Sequence, residues 1–312
     1  MNIKDADRMN SFYFSWSVLT ILLLFTFGVI LFIKYEGITI ETQIILLSTA
    51  REIDLIISGI LSATTTLMNF VITFLINILT KMEKHETKTN ELLSRIYKTV
   101  FTQTINTVFI YYFLYLIKPI DPLLSLGLVD QVYSLLVTSS LINIFKSVWN
   151  PKSLWHKFVN KIKYNKIEKK ENIQIRLNQE MQKPSFKMAD GYSYFVIFTF
   201  LVSFYGFLVP LGSLLLMLIF TLRYWVDKWN LFKYCSEPAP FSLVHFRLII
   251  KAFEFNVLLV SIGYLYWQPS VHFGIPTSHV FINLMNVLLS VIFVMISLFL
   301  PSELAEKMFW EK

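Results

Sequence analysis

The chain has 312 residues, of which 55% are hydrophobic and only 16% are charged, and its formal net charge is +7. Ordinary soluble domains carry about 25% charged residues. Together with a mean hydropathy of +0.56, this composition excludes an ordinary soluble domain and indicates a polytopic membrane protein. The single cysteine, Cys235, excludes an intrachain disulfide and a cysteine metal cluster.

Eight apolar segments recur along the chain, and a bilayer core requires about 20 such residues per helix. None shows the alternation of a strand, so the predicted fold class is all-α, a polytopic membrane protein of about eight transmembrane helices. The fifth and sixth segments meet at YGFLVPLG, where Gly206 and Pro210 predict a tight hairpin. The segments are 13–33, 54–80, 99–118, 123–149, 190–208, 210–226, 245–267 and 279–300.

The lysines and arginines set the orientation of these spans. With the N-terminus in the cytosol, Lys34, Arg51 and Lys118 lie outside, and the remaining 25 of the 28 basic residues lie inside. Such an excess is typical of cytosolic loops, so both termini are predicted to be cytosolic. The positive charge thus reflects topology, and no nucleic-acid partner is expected.

The spans and loops divide the sequence into three parts. Residues 1–149 hold the first four spans, 150–189 form a basic cytosolic linker, and 190–312 hold the hairpin and the last two spans. Between Trp155 and Ile162 the linker repeats apolar residues at helical spacing, with basic residues on the other face. That pattern is typical of an amphipathic helix on anionic headgroups. The alternative is that this face docks on neighbouring cytosolic loops.

Polar residues follow one face of several predicted helices. Because they are costly against lipid, they mark either a hydrophilic groove or hydrogen bonds between helices, and the pattern leaves both open. The one carboxylate among them, Asp130, could bind a cation or simply be hydrated near the outer interface. The predicted pore-lining residues are Ser62, Thr66, Asn69, Thr73 and Asn77 of the second span, Gln103 and Asn106 of the third, and Asp130, Gln131, Thr138 and Asn143 of the fourth.

Motifs of enzyme active sites do not occur in the sequence. It has no phosphate-binding glycine loop, HExxH, GxSxG or CxxC pattern. We therefore predict that the protein is not an enzyme and has no cofactor and no metal site.

Two stretches carry a family resemblance. The first is LTKMEKHETKTNELLSRIYKTVFTQTINTVFIYYFLY (79–115), and the second is GYSYFVIFTFLVSFYGFLVPLGSLLLMLIFTLRYWVDKWNLFKYC (191–235). They resemble the loop-to-helix segment and the aromatic Pro-Leu hairpin of the anoctamin/OSCA/TMC superfamily, while YWVDKWNL and FLPSEL resemble its ciliate members. The matching positions of the first stretch are Glu83, His85, Thr87, Thr89, Lys98, Phe101 and Asn106.

The resemblance implies an ion channel or lipid scramblase, often homodimeric, whose pathway is lined by the second to sixth spans. It also implies an acidic residue at the position of Asp227. Aromatic and basic residues near the end of the sixth span are typical anchors at a membrane interface. The predicted interface anchors are Arg223, Trp225, Asp227 and Trp229.

The chain departs from the calcium-gated anoctamins, which bring several carboxylates together from three adjacent helices. Here the fourth span has Asn143 with Lys146, the fifth has only Asp190, and the sixth has only Asp227. Calcium requires six to eight oxygen ligands, so we predict that this site is absent. The chain is also shorter than full-length members, and we expect a minimal version, a C-terminal fragment or one subunit of a complex.

These observations predict an integral membrane protein that passes ions or lipid headgroups through a polar groove between spans 2, 3, 4 and 6. The alternative is a non-conducting accessory or structural subunit of a larger membrane complex. A secondary transporter is disfavoured, because 1–149 and 190–300 show no internal repeat. The expected partners are membrane lipids and either a second copy of the chain or other subunits.

Overall fold

The computed structural model describes residues 5–47, 51–117, 128–149, 186, 188–236, 243–271 and 277–299. Within these ranges the chain forms eight helices in the predicted order and no strand, which confirms the all-α fold class. The helices are α1 (Asp5–Leu47), α2 (Arg51–Met82), α3 (Lys88–Thr104, continued by a π-helical turn at Ile105–Phe109 and by Ile110–Ile117), α4 (Leu128–Trp149), α5 (Met188–Phe204), α6 (Gly212–Lys233), α7 (Leu243–Val271) and α8 (Thr277–Phe299).

By length and composition, five of the described helices can cross a membrane, namely α1, α2, α3, α4 and α7. Shorter apolar stretches lie in α5 and in α8, at Met188–Phe204 and Leu284–Ile296. The chain is therefore an integral membrane protein. The cytosolic location of the termini and the three-part division stay predictions. The predicted amphipathic linker helix lies outside the described residues.

Several helix boundaries differ from the predicted spans, and α1 differs most, since it extends from Asp5 to Leu47 rather than over 13–33. Helix α3 begins at Lys88 rather than near residue 99, because the hydroxyl of Thr87 caps its N-terminus and accepts from the backbone N–H of Asn90 at 3.2 Å. Helix α6 continues past residue 226 to Lys233, so the charged aromatic cluster is itself helical. Hydropathy detects the apolar part of a helix and misses turns that continue into water.

The described helices pack around two central elements. Helix α2 contacts α1, α3 and α4, while α5 contacts α3, α7 and α6, and α6 also packs on α4. The largest buried side chains include Tyr111, Tyr205 and Trp267, and the rings of Tyr205 and Trp267 lie 5.5 Å apart. The Tyr205 hydroxyl donates to the carbonyl of Val108 at 2.7 Å and so ties the turn after α5 to the π-helical turn of α3.

Helices α5 and α7 touch backbone to backbone at one glycine. A Cβ atom on Gly263 would overlap the carbonyl oxygen of Phe204. By contrast, a Cβ atom on Gly28, in the middle of α1, would meet nothing within 4 Å. The glycine of α7 is therefore required for the close approach, whereas that of α1 is not.

A buried ion pair closes the connection between α2 and α3. The ammonium of Lys98 pairs with Glu83, and both side chains are at most 1% exposed. The Lys98 ammonium also donates to the hydroxyl of Ser15 on α1 at 2.7 Å. On the other carboxylate oxygen, Glu83 accepts from Ser94 and contacts His85, each at 2.8 Å. Burial lowers the pKa of His85, which disfavours its charged form. Lys98 is therefore the main cation that pairs with Glu83.

Replacing Gly263 with alanine should destabilise the protein by about 1–3 kcal/mol, because α7 must move away from the backbone of α5. The matched change Gly28→Ala should be neutral or slightly stabilising, since alanine favours the helix over glycine. Thermal unfolding of the two purified variants measures both effects. Equal midpoints would contradict the close packing of α5 on α7.

Replacing Lys98 with methionine should cost about 3–5 kcal/mol, because it leaves the Glu83 carboxylate buried without its cation. The double variant Lys98→Met with Glu83→Gln should regain much of that stability, and Lys81→Met, at an exposed position of α2, serves as the control. If the single and double variants unfold at the same temperature, the ion pair is not what holds this connection.

Candidate functional site

The polar stripe of α2 faces protein on its first half. The Ser62 hydroxyl donates to Ser134 of α4 at 3.3 Å, and the hydroxyls of Thr66 and Ser139 lie 2.5 Å apart. Both α2 residues are buried. The spacing of 4 residues along α2 thus matches polar positions on α4, and the two helices are joined by hydroxyl pairs.

The second half of the stripe faces α3. The amide of Asn69 donates to the Thr107 hydroxyl at 2.7 Å. The side-chain amide of Gln103 donates to the Thr73 hydroxyl at 2.6 Å and to the backbone carbonyl of Asn69 at 3.2 Å. Asn77, one turn further along, is half-buried. We call these polar faces of α2, α3 and α4, together with Thr26 of α1, which contacts α3, the polar seam.

The π-helical turn of α3 directs neighbouring side chains to different helices. Thr107 contacts Asn69 of α2, whereas the amide of Asn106 donates to the hydroxyl of Thr26 on α1 at 3.1 Å. Sequence spacing placed Asn106 on one face with Gln103, and the structure instead brings Asn106 to α1. π-Helical turns occur often at functional sites. The regular spacing of residues along a helix does not predict where such a turn lies.

The remaining predicted pore residues lie along α4. Asp130 is exposed in the first turn of that helix, Gln131 is buried and Thr138 is half-buried. Asn143 donates to the carbonyl of Ser139 within its own helix at 2.8 Å. Asn143 therefore adjoins Ser139, whose hydroxyl pairs with Thr66 of α2.

Four oxygen atoms of the polar seam are buried and have no hydrogen-bond partner among the described residues. They are the side-chain oxygens of Asn69 and Asn77 on α2 and of Thr99 and Asn106 on α3. An unpaired buried oxygen costs about 1–3 kcal/mol. The seam therefore retains capacity to accept hydrogen bonds from a donor that enters between the helices.

A second polar cluster joins α4 to α6. The guanidinium of Arg223 donates to Asp227 at 2.8 Å and to the carbonyl of Asn143 at 3.1 Å. The other carboxylate oxygen of Asp227 accepts from Ser147 at 2.9 Å, and Asn230 donates to the carbonyl of Ser147 at 2.7 Å. We call these five residues the α4–α6 cluster.

The α4–α6 cluster contains one carboxylate, with a guanidinium beside it. Both carboxylate oxygens of Asp227 already accept hydrogen bonds, and Arg223 places a positive charge beside them. The nearest carboxylate of α5, Asp190, pairs with Arg95 of α3. Across the described residues no group of three or more His, Cys, Asp or Glu side chains is arranged to hold a metal, whereas calcium binds six to eight oxygens.

The predicted interface anchors occupy two faces of α6. Arg223 and Asp227 turn toward α4, while Trp225 and Trp229 are 61% and 40% exposed. The rings of Tyr224 and Trp225 lie beside Lys228. The exposed tryptophans fit an interface role, whereas the arginine and the aspartate bond within the protein.

The sequence does not show which residues of these clusters are partners. Thr26 of α1, Ser134 and Ser139 of α4 and the ion pair of Arg95 with Asp190 all depend on which helices are neighbours. Arg95 falls in the part of α3 that hydropathy assigned to a loop. Helical spacing identifies a polar face, but it does not identify the helix that the face meets.

Comparison with known proteins agrees with this architecture. The family model described as "Anoctamin: Calcium-activated chloride channel" matches residues 3–305. No curated protein matches the chain. The family match extends over all eight described helices and includes both stretches whose motifs resemble that family. The chain belongs to the anoctamin family.

Proposed function

We propose that the polar seam is a passage for ions or lipid headgroups that runs between α2, α3 and α4 and reaches α6 at the α4–α6 cluster. Membership in the anoctamin family implies channel or scramblase activity in general. We place the passage at this seam because four of its buried oxygens have no hydrogen-bond partner among the described residues. A seam that served only as packing would gain stability by pairing them.

The hydrogen bonds across the seam are weak enough to open. Each bond between membrane helices contributes about 0.6 kcal/mol on average, and four side-chain contacts join α2 to its neighbours here. When the helices separate, water or a headgroup replaces these partners, and the unpaired oxygens gain donors. In this proposal the side-chain hydrogen bonds between α2 and its neighbours hold the passage closed.

The passage is proposed to work without calcium. Arg223 supplies a permanent positive charge where three helices meet: it bonds to α4 and to Asp227, and it lies over the ring of Tyr194 on α5 at 5.5 Å. Arginine remains charged at any physiological pH. A fixed guanidinium therefore joins these helices independently of the calcium concentration.

A non-conducting accessory subunit is the alternative, and the hydrogen bonds across the seam favour it. Ser62, Thr66 and Thr107 are buried and already bonded. In that role the same side chains would hold α2 against its neighbours permanently. Flux measurements on purified protein separate the two functions.

Replacing Asn69 and Thr73 together with leucine should reduce ion or lipid flux in reconstituted liposomes by at least about tenfold, because apolar side chains remove the polar lining of the closed seam. The protein should still insert. The control is Ser17→Leu with Thr20→Leu on the exposed face of α1, where both hydroxyls bond only to their own helix.

Unchanged flux in the Asn69 and Thr73 variant, with normal flux in the α1 control, would contradict the seam as the passage. An absence of flux in the unmodified protein, reconstituted alone, would instead support the accessory role.

Flux through the unmodified protein should be the same with a calcium chelator and with about 1 mM free calcium, a concentration that occupies even weak protein sites. The liposome assay measures this directly. Activation by calcium would contradict the reading of the α4–α6 cluster, and the variant Asp227→Asn would then show whether that carboxylate is a ligand.

A further inference from the structure

A groove on the outer surface of α5, α6 and α7 lies apart from the seam. Its volume is about 570 Å³, and its walls include Phe195 of α5, Met217, Phe220 and Tyr224 of α6, and Phe253 of α7. The ring centroids of Phe195 lie 4.4 Å from Phe220 and 5.6 Å from Phe253, so the three rings form its floor. We call it the α5–α7 groove.

The serine and threonine hydroxyls that line the groove already donate hydrogen bonds within the protein. Thr199, Ser213 and Thr221 each donate to a carbonyl three or four residues earlier, at 2.8 to 3.2 Å. A polar occupant would therefore find few partners inside, while an apolar chain loses nothing there. The groove selects a hydrocarbon occupant.

The length of the groove corresponds to one leaflet. From Ser213 to Tyr224 it follows α6 for about 16 Å, since an α-helix rises 1.5 Å per residue, and half of a bilayer core is about 15 Å. One acyl chain fills such a length. Tyr224 and Trp225, both exposed, mark the interface at one end.

Along α6, that end of the groove carries a cation on the same helical face. Lys228 follows Tyr224 by four residues, and its ammonium lies 5.8 Å and 5.2 Å from the ring centroids of Tyr224 and Trp225. The opposite end, at Pro210 to Ser213, has no charged residue. The groove thus pairs an apolar slot with one positive charge at headgroup depth.

We propose that the α5–α7 groove binds an anionic phospholipid, with one acyl chain along the aromatic floor and the headgroup phosphate on Lys228. The position of the charge makes the site selective for anionic over zwitterionic lipid, and the slot supplies contact area. The proposal does not depend on conduction through the seam, because the groove lies on another face of α6 from the residues that contact α4.

The test uses the full chain in nanodiscs of phosphatidylcholine with phosphatidylglycerol, with native mass spectrometry counting the lipids that each chain retains. Lys228→Gln should lower the preference for phosphatidylglycerol about fivefold, the effect of one lysine near an anionic surface. Thr221→Phe, which fills the slot with a ring, should reduce retention of both lipids.

The matched control is Lys233→Gln, which changes an exposed lysine of α6 that lies beside Trp229 and away from the groove. Its phosphatidylglycerol preference should stay as in the unmodified protein. An equal loss in both lysine variants would show diffuse surface attraction and overturn the site. An unchanged preference in Lys228→Gln would overturn it as well.

Discussion

The inability of hydrocarbon to form hydrogen bonds is the constraint on which this structure depends. Every polar side chain in a transmembrane helix must find a partner in the protein, or in water that the protein admits. Helix α2 carries more of these side chains than one neighbour can satisfy. It therefore lies between α1, α3 and α4, and its Ser62, Thr66, Asn69 and Thr73 divide between α4 and α3.

Charged residues follow the same constraint at the ends of the helices. Lys98 with Glu83, Arg95 with Asp190 and Arg223 with Asp227 are all partly or fully withdrawn from water. The first two join different elements, and the third pair, within α6, reaches α4 through Arg223 and Ser147. Breaking such a pair leaves a charge without a partner, so these contacts fix which helices stay together while the polar seam itself is held by weaker bonds.

Features of the fold that depend on local sequence could be predicted, whereas those that depend on which helices are neighbours could not. Hydropathy found the eight described helices, because span length depends only on the local run of apolar residues. It missed the start of α3, where Thr87 caps a polar first turn, and the end of α6, where Asp227 and Lys228 continue the helix into the interface. Helical spacing identified the stripe of α2. It could not identify Ser139 or Thr107 as its partners, because that requires the arrangement of helices.

One local departure from regular geometry explains why the candidate site was only partly foreseen. The π-helical turn rotates Asn106 toward α1 while Thr107 stays with α2, so two adjacent residues tie α3 to two helices. The carbonyl of Val108 in the same turn accepts from Tyr205, which couples the turn to the α5–α6 connection. The seam and the hairpin therefore share one element, the turn that holds the contacts of Asn106 and Thr107.

The proposed role of the seam as a passage, rather than a permanent lock, depends on how completely its polar groups are paired. A lock is most stable when each buried donor and acceptor is paired, as around Glu83, where Lys98, Ser94 and His85 surround the carboxylate. The seam lacks that completeness: the side-chain amide of Asn69 donates to Thr107, yet its side-chain oxygen has no partner among the described residues. In the proposed passage, weak bonds and unpaired acceptors would lower the difference in free energy between a closed and a hydrated state, as a gated polar path requires.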